Sequence, residues 1–295
     1  MTGDNLQKRS VIYAALILSL FMSVFIAGTA NAQKKKDPAP KVVIPKKKKF
    51  NVSLESLVLK LNELDDDESF TPKILDNPAF HWYPMMRKVR DGVLQRPSAV
   101  DTMYTWTNSM WDYLESIKVK KYSDAEWVFP LKGYGPGAIG GVHGSGYIPQ
   151  GFDFFDNNSG GHPAHDIFIN DADQDGIDDV TGKSVEILSM SGGMVVETRT
   201  DWTPDQTDIK GGNIVYVYDN YTNGLFYYAH MKKVLVKVGD VVKPGTVLGL
   251  VGRTGKNAYP SRSPTHLHIM YVRSHDGDLR SEDLYNDLQR VKVIN

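Results

Sequence analysis

Apolar residues follow four successive patterns along the chain, and each predicts a different kind of segment. Residues 11–26 form an apolar run preceded by Lys8 and Arg9 and followed by Ala30, Asn31 and Ala32, small residues suited to cleavage. This predicts a signal peptide over residues 1–32. A retained anchor is the weaker reading, because a membrane span needs about 20 apolar residues. Residues 33–50 have no apolar period; lysines at 34–36 and 46–49 flank a proline-containing stretch, which predicts an extended basic linker. Between residues 51 and 124 the period is helical. Ala99, Met103, Trp106, Met110, Leu114 and Ile117 fall on one face of a helix that Ser98 can cap, with Asp101 in its first turn. An amphipathic segment at 52–64 and a further helix after Pro84 complete a small helical accessory domain.

The fourth pattern fills residues 125–295. Short β runs at 127–129, 193–197, 214–218, 225–228, 234–238, 247–251 and 267–272 are separated by Gly, Asn, Asp and Pro. Asn223-Gly224 is a hairpin signal, since both residues tolerate positive φ. Gly239-Asp240 and Pro244-Gly245 mark further tight turns. The predicted fold class is mainly β, a curved antiparallel sheet preceded by the helical domain.

Composition narrows the chemistry. At 295 residues and 41% hydrophobic content the chain is globular. It has no cysteine, which excludes a lipid anchor at the cleavage site, a disulfide framework, a thiol nucleophile and a thiolate metal site. A net charge of −1 gives no nucleic-acid signature. The basic linker offers a partner to an anionic membrane or wall surface, a solvated spacer being the plainer reading. The glycine-rich stretch 133–146 and Gly252-Arg-Thr-Gly-Lys256 lack phosphate-loop spacing and read as loops.

The histidines carry the strongest signal. Five of the eight lie in three short β segments: His162-Pro-Ala-His165-Asp166, Tyr228-Ala-His230 and Thr265-His266-Leu-His268. His266 and His268 are two apart, so on a strand they share one face. His162 and Asp166 are four apart across a proline turn, within reach of one ion. Neutral imidazoles with a carboxylate suit zinc, whose catalytic sites use three protein ligands and an open position. A single buried histidine is usually structural, and His81, His143 and His275 have no such setting; His165 is not needed to complete the motif.

On these residues the β region, roughly 126–272, resembles the lysostaphin-type or LytM-type zinc peptidases of peptidoglycan. The order is shared: His-x-x-x-Asp, then an isolated His ending a strand, then His-x-His. Phe129-Pro130 resembles the family's domain opening, Gly239-Asp-x-Val-x-x-Gly245 its central turn, and Gly252-Arg-Thr-Gly255 leading into His266-Leu-His268 its closing signature. The resemblance implies a LytM-like, duplicated-hairpin catalytic domain in which His162, Asp166 and His268 hold zinc. It implies that His230 and His266 line the reaction site as catalytic residues, and that the chain is an exported, periplasmic or secreted endopeptidase cutting peptidoglycan stems or cross-links. A non-catalytic regulator or wall-binding protein of the same fold, and a secreted protease of other peptides, are the alternatives. The sequence departs from the family after Asp166. There Asp171-Ala-Asp173-Gln-Asp175-Gly176 resembles the start of a calcium loop, but Gly182 stands where the bidentate acid would be. Calcium held by Asp171, Asp173 and Asp175 and a merely solvated acidic turn are the two readings.

Overall fold

The computed structural model describes residues 77–156 and 160–295. The predicted signal peptide, the basic linker and the amphipathic segment 52–64 lie outside the described residues. Those described form two helices, α1 (Ala79–Arg90) and α2 (Arg96–Ser116), then ten strands, then a short helix α3 (Tyr285–Arg290). The strands are β1 (His165–Phe168), β2 (Glu186–Leu188), β3 (Gly193–Arg199), β4 (Ile214–Asp219), β5 (Gly224–Ala229), β6 (Met231–Val234), β7 (Val241–Val242), β8 (Val247–Val251), β9 (His266–His275) and β10 (Asp278–Glu282). Every strand pairing is antiparallel, in a mainly β, curved architecture. The large sheet runs β1-β9-β5-β4-β3-β7 with β10 also on β9, and a small sheet runs β2-β8-β6. No helix among the described residues is long and apolar enough to cross a membrane.

The large sheet is covered on both faces, and the alternation along its strands sorts residues between two cores. Val195, Val215, Val217, Phe226, Tyr228, Leu267 and Ile269 pack toward the small sheet with Ile187, Met231, Leu248 and Val251. Met194, Val196, Tyr218, Leu225, Met270 and Val272 point the other way, onto Trp82, Met86, Met103, Trp106 and Met110 of α1 and α2. Burial on both faces is why these strands read as nearly continuous apolar runs. Trp82 is fully buried at the centre of the helical layer, its ring 4.8 Å from Trp106 and 5.6 Å from Tyr216.

Several predicted boundaries move, each for a local reason. α2 starts at Arg96 rather than after Ser98, because Pro97 fits the first turn, where a backbone N–H has no partner to lose. α1 begins before Pro84 and runs through it, giving up one bond to the Phe80 carbonyl. Residues 127–129 make only an isolated bridge at Val128. The run at 234–238 is strand only to Val234; Asp240 then accepts the Lys237 amide in a turn that takes the backbone out of the ladder. The Asn223-Gly224 signal marks a real hairpin, but only Asn223 has positive φ, 55°. Gly224 belongs to β5, where a Cβ would stand 2.6 Å from the Tyr271 ring.

Candidate metal centre and cleft

Strand register assembles the candidate site on the face of the large sheet that the helices share. Asp166 in β1 stands directly opposite His268 in β9, and Ala229 flanks His268 from β5. His266 lies on the same face two residues earlier. His162 precedes β1, its backbone held by a two-way bridge to Ile148. His230 follows Ala229 with φ 64°, a left-handed conformation that ends β5 and turns the chain into β6. The turn brings the His230 ring to 4.8 Å from His266 and 5.7 Å from His268.

Three ring nitrogens surround one carboxylate oxygen. Asp166 Oδ1 lies 3.0 Å from His268 Nδ1, 3.3 Å from His162 Nε2 and 3.6 Å from His266 Nε2. The opposite nitrogens of three histidines are fixed by main-chain carbonyls: His162 Nδ1 donates to Gly146 O at 2.7 Å, His230 Nδ1 to Thr254 O at 2.8 Å, and His266 Nδ1 to Pro264 O at 2.7 Å. In a neutral imidazole a donor nitrogen on one side leaves a lone pair on the other. Each Nε2 is therefore an acceptor, or a ligand, facing the site.

Electrostatics follows from this crowding. The bond to Asp166 holds the His162 pKa above its ordinary value, against burial. Burial alone would raise Asp166, but hydrogen bonds from His162 and His268 outweigh it and hold the carboxyl well below the usual range. His230 is pushed down to about 3, by burial first and then by its neighbours His268 and His266. His266 is lowered by burial above all. The site thus combines an ionised carboxylate with two histidines, His230 and His266, kept neutral.

This donor set fits zinc. Ligand atoms of His162, Asp166 and His268 all lie within 4.8 Å of one another. Ligands about 2.0–2.1 Å from one tetrahedral ion stand about 3.3 Å apart, close to the 3.0 and 3.3 Å separations around Asp166 Oδ1. One cavity of about 250 Å³ opens beside them, lined by His162, His230 and His268, by Tyr216 and Tyr227, and by Met86 and Arg90 from α1.

His165 faces away from Asp166. It is buried against Tyr147, with Nε2 2.7 Å from Asp283 Oδ1. Asp171, Asp173 and Asp175 also converge within 4.8 Å. Asp171 already accepts the Asp175 and Gly176 amides and the Thr265 hydroxyl, so this turn is tied to the residue before His266. The sequence reading missed the three orienting carbonyls, which no side-chain pattern encodes. It also missed the contribution of α1 to the cavity wall, which depends on how the helix packs.

Residues 172–279 match Peptidase family M23. Glycyl-glycine endopeptidase ALE-1 of Staphylococcus capitis is 28% identical over 123 residues, 42% of this chain and 31% of its own length. Lysostaphin of Staphylococcus staphylolyticus is 31% identical over 109 residues, 37% of this chain and 20% of its own. The chain thus spans less than a third of each of these relatives. The solved catalytic domain of lysostaphin from Staphylococcus simulans aligns with a TM-score of 0.32 and 25% identity, covering 49% of this chain and 87% of that domain.

Proposed function

From the premise that the chain carries a domain of peptidase family M23, homologous to lysostaphin and ALE-1, we propose that it is a zinc-dependent endopeptidase hydrolysing peptide bonds in peptidoglycan stems or cross-links. The convergence of His162, Asp166 and His268 beside an open cavity carries this reading. His162 Nε2, Asp166 Oδ1 and His268 Nδ1 would hold the ion. Zinc, when bound, supplies a Lewis acid that polarises the scissile carbonyl and lowers the pKa of the attacking water. His230 and His266 present neutral Nε2 atoms to the same space, one to accept the water's proton and one to steady the developing oxyanion or protonate the leaving amine. Tyr216 and Tyr227 wall the cavity and would lie along the peptide's flank.

The same proposal has the chain exported, with residues 1–32 removed and the lysine-rich linker extended next to the wall or membrane. N-terminal sequencing of protein recovered from cells, beginning at residue 33, is the matching result. Calcium at Asp171, Asp173 and Asp175 would stiffen the turn behind Thr265; its test is a calcium titration that raises the melting temperature.

The deciding experiment incubates zinc-loaded protein with purified peptidoglycan and identifies released muropeptides by mass spectrometry, beside His266→Ala and a chelated control. New peptide ends that vanish in both controls establish the activity and its bond. Zinc bound at one equivalent with no release would instead favour a wall-binding or regulatory role, or a peptide substrate outside the wall.

A further inference from the structure

The cavity wall contributed by α1 contains a cation whose placement the sheet itself arranges. Arg90, the last residue of α1, lines the same cavity as His162, His230 and His268. Its guanidinium has five N–H donors, and among the described residues none makes a hydrogen bond. Its nearest charged partner is Glu197 Oε1, 3.7 Å from Nη1, and the Tyr83 ring centre lies 5.5 Å from Cζ.

Glu197 is there because β3 is irregular. Met194 faces Tyr218 and Val195 faces Val217, but the register slips between Val195 and Glu197, so Glu197 pairs with Tyr216. Without that bulge, alternation would aim Glu197 into the apolar core between the two sheets, alongside Val195. The bulge returns the carboxylate to the helix side. There it is 2% exposed, Oε2 accepts the Trp82 indole N–H at 2.7 Å, and Oε1 has no hydrogen-bond partner among the described residues. A carboxylate fixed by Trp82 thus holds the arginine at the cavity by charge while leaving its donors unspent.

We propose that Arg90 is a specificity-determining residue whose guanidinium binds a carboxylate of the peptide substrate, with Glu197 as its positioning residue. The planar fork of a guanidinium matches a carboxylate with two parallel hydrogen bonds, which a lysine ammonium cannot reproduce. Arg90 lines the same cavity as His162, His230 and His268, so the recognised carboxylate belongs to the part of the peptide held next to the scissile bond. The preferred substrate is an acidic peptide, in contrast to a run of glycines.

The inference rests on the peptidase reading, and the test separates the two. Cross-linked muropeptide dimers are assayed with the zinc-loaded full chain before and after carbodiimide conversion of their carboxylates to carboxamides. Amidation should raise KM about 10- to 100-fold, the range of a charge-assisted pair, with kcat little changed. Arg90→Gln should show the high KM on both substrates. Arg90→Lys, which keeps a charge for Glu197, should retain the melting temperature but lose most of the preference. Glu197→Gln should weaken the preference through KM alone. Equal KM for both substrates in the wild type overturns the proposal, as does an Arg90→Gln variant that retains the preference. If neither dimer is cleaved, the peptidase reading fails, and calorimetry of the two dimers with His266→Ala still decides this inference: equal affinity for both refutes it.

Discussion

His230 occupies a left-handed backbone conformation, one that a histidine tolerates better than a β-branched residue but that still costs about 1 kcal/mol. The cost is offset where the turn delivers the ring to His266 and its Nδ1 to the Thr254 carbonyl. On the proposed reading His230 and His266 act beside the ligand set rather than within it, and the expected substitution pattern divides accordingly. His268→Ala and Asp166→Ala should lose bound zinc, measured by plasma mass spectrometry. His230→Ala and His266→Ala should keep it while turnover falls by roughly 10²–10⁴, the usual worth of general acid–base help. A second residue-scale prediction concerns Asp219 at the β4–β5 turn. Burial raises its pKa to about 6, despite hydrogen bonds from Thr222 and Tyr221. A carboxyl raised in the folded state contributes stability below its unfolded pKa, about 3.9, and loses it as pH climbs through about 6. Between pH 4 and 7 the stability difference should therefore shift toward Asp219→Asn by up to about 3 kcal/mol, read by urea unfolding. A difference that stays flat across that range would show the carboxylate to be equally well solvated in both states.

At the scale of elements, what the sequence discloses depends on whether a side-chain pattern or a packing event sets the structure. β4, β5 and β9 were legible because both faces of their sheet are buried and β-branched and aromatic residues fill them. The His-x-His pair was legible because two-residue spacing fixes a shared face. β1, β2 and β10 are three to five residues long and mix polar with apolar positions, and β7 is only two valines, so no period marks them. The bulge in β3 was invisible: Val195, Val196 and Glu197 read as ordinary strand, and only the register against β4 shows the slip. Gly224 is a case where the right residue was noticed for another reason. Its missing side chain admits Tyr271, whose ring is packed 4.6 Å from Phe226 and is 2% exposed. Gly224→Ala should consequently destabilise the protein by about 1–3 kcal/mol through overpacking. Were a flexible turn the reason for the glycine, the measured loss would fall below about 1 kcal/mol.

At the scale of the described molecule, α1 and α2 form a layer on the sheet that carries the site. The face they cover includes Met194, Val196, Tyr218, Leu225, Met270 and Val272. A chain beginning at Asp124 would leave those residues to solvent, and a continuous apolar surface of this kind favours association. Such a chain should bind a hydrophobic dye, lose solubility and melt lower than one that retains residues 77–123. Trp82→Ala tests the same layer by one residue, with an expected loss of about 3–5 kcal/mol from the cavity left behind. Removing the indole also strips Glu197 of the one side-chain hydrogen-bond donor it has among the described residues, so the cost should lie toward the upper end. The sequence identified the apolar face of α2 correctly, but not its partner, because a helical stripe says that something will cover it and not what.

The three carbonyls of Gly146, Thr254 and Pro264 that fix the histidine tautomers belong to the main chain. Any residue type at those positions supplies the same acceptor, so no single codon change deletes one. Mutational damage to proton placement must come by moving the backbone, through insertions, deletions or lost turns in three surface loops. Related sequences drifting at positions 146, 254 and 264 could therefore keep the same chemistry, while a one-residue change in loop length would end it.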